Sequence, residues 1–298
     1  MWVRVLGSAA GGGSPQWNCG CEVCTAVRSG ATRPRTQSSI AVSTDRRRWF
    51  LFNASPDLRT QIEAFPDLWP GRPRDDRATP LAAVLLTDAE LDHTLGLPLL
   101  REARALRLYA TAAVHKTLCD GSGLLRLLER YGPVEWQAVV PGADLALADG
   151  LTARAFDVPT TKPDRFGLGL DHGRVVGYRL TDENTGGTLV YLPGVQALTP
   201  AVRAQITGCT CLLIDGTCWH DDELIRLGAA GRTSREMGHL PVGGPDGSLT
   251  RVPALGAGRT IFVHVNNTNP ILLDDARERR LVEDSGAEVA MDGLEVEV

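Results

Sequence analysis

Long apolar runs are absent from this 298-residue chain. The longest, Leu81 to Leu86, falls far short of the roughly 20 residues a membrane-spanning helix needs. A basic excess is absent too: 31 Lys and Arg face 36 Asp and Glu, for a formal net charge of −5. The chain therefore lacks the broad positive field of a general nucleic-acid binder. No charged segment followed by an apolar stretch opens the sequence, so no export signal is read and a cytoplasmic protein is expected. Neither GxGxxG nor Walker A order occurs in the glycine-rich stretch Gly7 to Pro15, which argues against nucleotide binding there. Repeats, heptads and low-complexity tails are missing, and no shift in composition marks a linker. One domain spanning 1–298 is expected.

What is present is an ordinary globular composition, 43% hydrophobic and 22% charged, with enough length to bury a sizeable core. Trp2–Leu6 reads as a strand entering the glycine-rich loop, and Ser38–Ser43 with Trp49–Asn53 as a hairpin pair. Leu81–Leu86, Leu106–Ala110, Thr188–Leu192, Cys211–Thr217 and Thr260–Val265 read as buried strands. Helices are expected from Leu58, over Thr94–Ala105, over Ala112–Leu118 and over Gly121–Tyr131, with short strands and turns from there to about Gly187. These alternations predict mixed α and β layers.

Seven cysteines, an odd number without an export signal, argue against a disulfide scaffold. Cys19, Cys21 and Cys24 lie close enough to share one tetrahedral metal, zinc by preference, in a structural site. Three unrelated surface thiols are the plainer alternative. Asp88-x-Glu90-x-Asp92-His93 follows a buried strand and offers four oxygen or nitrogen ligands on one turn, suited to iron, manganese or zinc. The same residues could instead cap the following helix. His264 stands near a strand end, followed by Asn266, Asn267, Thr268 and Asn269, short polar side chains that cap a helix or hold a ligand. Arg232, Arg235 and His239 form a stretch suited to an acidic substrate, or a solvated loop.

Together these motifs resemble the metallo-β-lactamase superfamily, a four-layer αββα sandwich (α/β layered) whose signature is HxHxDH in an apolar-T-H-x-H-x-D-H-x-x-G frame. The frame here is Leu85-Leu86-Thr87-Asp88-Ala89-Glu90-Leu91-Asp92-His93-Thr94-Leu95-Gly96. Asp88 and Glu90 replace the first two histidines; Asp92 and His93 match. The stretches Val5–Gly13, Pro15–Cys19, Arg35–Ile40, Asn53–Asp57, Asp215–Thr217, Arg235–His239 and His264–Pro270 narrow the likeness. They resemble the pyrroloquinoline quinone (PQQ) biosynthesis protein B family over nearly the whole chain.

The resemblance implies several things. The third histidine of a two-metal hydrolase is missing near Thr160, and Pro193-Gly194 replaces the bridging aspartate. What survives is Asp92, His93 and His264, the two-histidine, one-carboxylate set of non-haem Fe(II) oxygenases. The expected function is PQQ biosynthesis: Fe(II)-dependent, O2-using hydroxylation of the tyrosine ring of a cross-linked Glu–Tyr precursor. A non-catalytic carrier or binder of PQQ or its precursor, acting in export, is the alternative, and a two-zinc hydrolase a weaker one. Asp88 and Glu90 would line the site and move protons, with His239. Arg232, Arg235, Asn266 and Asn267 would hold substrate, and the cysteines a structural zinc whose fourth ligand is Asn267, His264 or water. Implied partners are the small-molecule precursor and other PQQ biosynthesis proteins, with no nucleic acid and no membrane.

Overall fold

The computed structural model describes residues 1–71 and 79–298. Its central strands are apolar at both parities, and their side chains point alternately to the two faces of each sheet. The strands are β1 (Trp2–Gly7), β2 (Ser39–Ser43), β3 (Trp49–Phe52), β4 (Leu81–Leu85), β5 (Leu106–Ala110), β6 (Val134–Ala138) and β7 (Asp144–Ala148). They continue with β8 (Leu151–Asp157), β9 (Val176–Asp182), β10 (Thr188–Leu192), β11 (Cys211–Asp215), β12 (Arg259–Val263), β13 (Glu288–Val289) and β14 (Glu295–Glu297). Two seven-stranded mixed sheets result, ordered β14-β1-β2-β3-β4-β5-β6 and β13-β12-β11-β10-β9-β8-β7.

In β3, Phe50 and Phe52 enter the core between the sheets, while Trp49 and Leu51 face the outer helices. In β11, Cys211 and Leu213 point inward and Leu212 and Ile214 outward. A strand buried on both faces needs apolar residues at both parities, which is why these segments read as continuous runs. Helices close the outer faces. Leu58, Val114 and Leu125 cover one sheet, and Val202, Ile206 and Val282 cover the other. The architecture is the four-layer αββα sandwich that the resemblance implies.

Strands β3 to β6 are parallel to one another, as are β10 to β13. Their carboxyl ends gather at one edge, the place where open α/β sheets bind ligands. Aromatic packing floors that edge. Phe52 meets Tyr178 and Tyr191 edge-on at 5.3 and 6.0 Å, contacts that contribute ~0.5–1.5 kcal/mol each beyond buried area. The Tyr178 hydroxyl donates to the Leu86 carbonyl at 3.0 Å, fixing the chain just before Asp88.

Several elements depart from expectation. The helix expected over Thr94–Ala105 breaks into Leu91–Thr94 and a 3-10 turn, Leu97–Leu100. Pro98 supplies no amide, and Gly96 is pressed so closely on Ser55 that an added Cβ would lie 2.2 Å from its carbonyl oxygen. The helix over Gly121–Tyr131 shortens to Leu124–Leu128 because Gly123 takes φ +72°. Ala112–Leu118 becomes a helix over Ala112–Lys116 and a π turn over Thr117–Gly121. The cysteine cluster lies at the start of a helix, Glu22–Arg28, with Cys21 as its N-cap.

Candidate metal centre

The turn after β4 is held from both sides. Asn53, at φ +62°, donates from Nδ2 to Thr87 Oγ1 at 2.9 Å and accepts from the Thr87 amide at 3.0 Å. The next residue, Ala54, donates its amide to the His93 carbonyl at 2.7 Å. Behind the histidine, Asp88 accepts from the Glu90 amide at 2.9 Å, from Thr87 Oγ1 at 2.8 Å and from His93 Nδ1 at 2.8 Å. With Nδ1 committed to Asp88, Nε2 is the remaining ligand atom of His93. It is buried and has no hydrogen-bond partner; Asp92 Oδ2 lies 3.9 Å away.

His264 reaches the same point from the end of β12, where the chain turns at φ +54°. The Thr217 hydroxyl donates its one proton to Asp215 Oδ1 at 2.6 Å, so it accepts from His264 Nδ1 at 2.9 Å. His264 Nε2 then faces Asp92 Oδ2 at 3.2 Å. Asp215, fully buried at the end of β11, also accepts from the Val195 amide at 2.9 Å and from His239 Nδ1 at 2.7 Å. The His239 ring stacks on His264 at 5.2 Å and 20°. From the other side the glycine-rich loop closes in, where a Cβ on Gly11 would lie 3.3 Å from the Asp92 carboxyl carbon.

The charges are steeply coupled. Burial disfavours ionised Asp88, yet the adjacent His93 holds it down at about 2. Burial likewise opposes charge on His93, but Asp88 and Asp92 raise it to about 9. Asp92 lies well below the ordinary carboxylate range: against burial, His93 and His264 stabilise its anion. Asp215 is lowered against burial by His239, His264 and Thr217.

Ligand atoms of Asp92, His93 and His264 lie within 4.8 Å of one another, as do those of Asp215, His239 and His264. The second group is already satisfied internally. The first has an orphaned buried nitrogen beside a carboxylate and a second imidazole, the donor set that divalent iron, manganese or zinc takes. It opens on a cavity of about 190 Å³ that Glu90 and His239 also line. Thr160 and Gly194 line it as well; the threonine hydroxyl is a weak metal ligand and glycine has no side chain to offer one.

Arg232 and Arg235 do not line this cavity. Arg232 is exposed. Arg235 engages through its backbone, its amide donating to Asp221 and its carbonyl accepting from Gln196; the left-handed turn at Gly238 brings Met237 to His239 to the cavity instead. Asn266 and Asn267 also face elsewhere. Asn266 donates to Thr268 Oγ1 at 2.6 Å, and Asn267 Nδ2 to Cys24 Sγ at 3.2 Å. The cations that do line the cavity are Lys162, Arg165 and Arg174. They sit on an irregular segment between β8 and β9, where no periodicity or motif marks them. The roles of Asn53 and Thr217 were equally hidden, although both lie in quoted motifs.

The sulfurs of Cys19, Cys21 and Cys24 also lie within 4.8 Å of one another. Amides donate to each: Cys21 N to Cys19 at 3.5 Å, Cys24 N to Cys21 at 3.5 Å and Gln16 N to Cys24 at 3.4 Å. The Cys21 thiol lies 3.3 Å from the Asn267 carbonyl. Burial and the neighbouring sulfurs push Cys21 up to about 12, while these donors, against burial, hold Cys19 below the usual thiol range. Three thiolates this close require a cation to ionise together, and the set suits zinc.

The beta-lactamase superfamily domain model matches residues 48–265. Coenzyme PQQ synthesis protein B of Methylococcus capsulatus is 43% identical over 305 residues, covering 99% of this chain and 99% of that protein. The crystal structure of zinc-bound PqqB from Methylobacterium extorquens is 40% identical, with a TM-score of 0.92 and coverage of 100% of both chains. A diphosphatase of the PhnP family, 21% identical, shares the fold with a TM-score of 0.70, covering 100% of this chain and 97% of its own.

Proposed function

The chain belongs to the coenzyme PQQ synthesis protein B family of the beta-lactamase superfamily, and from that premise we propose that it hydroxylates the tyrosine ring of the cross-linked Glu–Tyr precursor of PQQ, using Fe(II) and O2. The observation that carries this reading is the orphaned His93 Nε2 beside Asp92 and His264. Two imidazoles and one carboxylate leave positions open, and the superfamily resemblance implies that the further histidine, expected near Thr160, and the bridging carboxylate, replaced by Pro193-Gly194, of a two-metal hydrolase are missing.

Iron held by Asp92, His93 and His264 would supply O2 activation. The chain's own residues do the rest. Asp88 and Thr217 hold the two imidazoles in the tautomers that present Nε2. His239 donates from Nδ1 to Asp215, which leaves its Nε2 to accept the proton of a phenol bound in the cavity. The cysteine cluster would hold a structural zinc. A further two electrons come from an external reductant or from the substrate. Other proteins of the pathway would supply the precursor. Among the described residues no helix is long and apolar enough to cross a membrane.

Anaerobic loading of metal-free protein with Fe(II), followed by O2 uptake in the presence of the tyrosine-derived substrate, tests the reading. Substrate-dependent O2 consumption by the iron form and none by the zinc form is expected. Absence of uptake with iron, together with tight binding of the quinone, would favour the carrier.

A further inference from the structure

The cavity above the candidate centre has a charge arrangement that neither the ligand set nor His239 uses. Four carboxylates line it: Asp88, Glu90, Asp92 and Asp164. Asp88 is taken by His93, and Asp92 by His264. Asp164 spends its two oxygens on the amides of Phe166 and Leu168, at 3.0 and 2.6 Å. Glu90 alone is paired with cationic side chains of the cavity. Lys162 Nζ lies 2.8 Å from its Oε1 and Arg165 Nη2 3.4 Å from its Oε2. These three side chains are 22%, 67% and 36% exposed for Lys162, Arg165 and Glu90, so solvent and solutes reach the pairs.

The segment that presents the two cations is itself well fixed. The Thr161 amide donates to Gln196 Oε1 at 2.6 Å, and Gln196 returns Nε2 to Thr161 Oγ1 at 2.6 Å. Arg174 Nη2 donates to the Lys162 carbonyl at 3.0 Å. Phe166 is lodged against Gly121, where an added Cβ would come within 2.7 Å of its ring. A pre-positioned pair of cations, closed by one exchangeable internal carboxylate, is a receptor for carboxylate.

We propose that Lys162 and Arg165 are the carboxylate clamp of this site, and that a substrate carrying several carboxylates takes them over from Glu90, which is released as the cavity fills. The inference rests on the function proposed above, whose precursor and product are polycarboxylates, and it identifies the substrate-selecting residues. A neutral phenol of the same shape would leave the Glu90 pairs intact and gain nothing from the clamp. Arginine and lysine divide the work: Arg165 can grip a carboxylate bidentately, and Lys162 acts as a point charge.

The test is direct binding of PQQ, a tricarboxylate, to the purified full-length protein by titration calorimetry, with PQQ trimethyl ester as the uncharged comparison. Wild type should bind the triacid, and the ester about ten-fold more weakly or less. Lys162→Ala with Arg165→Ala should cost about ten-fold in affinity and flatten its salt dependence. Lys162→Arg should retain binding, Glu90→Gln should tighten it by removing the internal competitor, and Arg154→Ala, on an exposed pair with Asp144, should change nothing. Equal binding of acid and ester, wild-type affinity in the double variant, or no binding to wild type overturns the clamp. Because no iron or O2 is involved, the clamp can fail while O2 uptake persists, and hydroxylation can fail while the clamp stands.

Discussion

The imidazole–carboxylate cluster and the thiolate cluster hang on opposite ends of one short segment, His264 to Asn267, and are built in contrasting ways. His93 and His264 are each gripped from behind, by Asp88 and by Thr217, and their front faces a cavity lined with charged side chains. Each cysteine sulfur accepts from one backbone amide, and Cys24 also from Asn267 Nδ2; among the described residues no ion pair involves them. On the function proposed above, the contrast teaches that a centre that reacts is over-determined on its protein side and left open to a charged cavity on the other. A centre that would hold the chain is held by backbone donors instead. Soft ligands suit the second purpose, and harder ones leave the first open to iron.

Removing His93 should break the contrast most severely. His93→Ala deletes a ligand and leaves Asp88 buried without its partner. Metal at the Asp92/His264 end and turnover should both vanish, and unfolding in urea should show a loss of ~3–5 kcal/mol. Adding Asp88→Asn should recover much of the stability and none of the activity, while metal at the cysteines stays. Wild-type iron content in His93→Ala would place the reactive metal elsewhere.

Cys21→Ser should act in the complementary way. Zinc content and melting temperature should fall together, because the binding energy of such a site is folding energy. Unchanged zinc stoichiometry and melting temperature would rule out a structural metal there. A milder probe is Thr217→Val, which leaves every ligand in place but removes the acceptor that orients His264. Iron affinity or kcat should drop about 10–100-fold, with zinc at the cysteines unaffected.

The smallest expected effect is on pH dependence. In metal-free protein His93 titrates near 9 instead of its ordinary 6.5, so its pairing with Asp88 stabilises fully below pH 6.5 and is lost as pH rises through about 9. Asp88, lowered from 3.8 to about 2, contributes above pH 3.8 and fails as pH falls through about 2. The melting temperature of metal-free protein should therefore decline between pH 6.5 and 9, and that of metal-loaded protein should decline less, since metal replaces the proton on His93. Parallel curves would mean that metal and proton do not compete there.

Much of this was written locally in the sequence. The turn Asp88 to His93 after an apolar strand, the tight cysteine spacing and the histidine at a strand end are all short-range signals, and mixed α and β layers follow from apolar runs long enough for strands buried on both faces; the four-layer sandwich itself was legible only through the family resemblance. What was hidden depends on distant packing. Asn267 turns to the cysteines because the chain leaves β12 with His264 at a positive φ, and Arg232 and Arg235 fall outside the cavity because their segment meets it only beyond Gly238. Lys162 and Arg165 sit in an irregular segment whose position is set by Gln196 and Gly121, contacts no spacing rule encodes. The helix break at Gly96 is likewise imposed by the neighbouring turn at Ser55.

The central claim is that the two clusters hold different metals for different purposes. Protein freed of metal, then loaded anaerobically with Fe(II) in the presence of one equivalent of zinc and crystallised, should be measured by anomalous diffraction at both absorption edges. The account predicts iron at Asp92, His93 and His264 and zinc at Cys19, Cys21 and Cys24. Iron at the cysteines, or zinc displacing iron from the histidines in the active preparation, would contradict it.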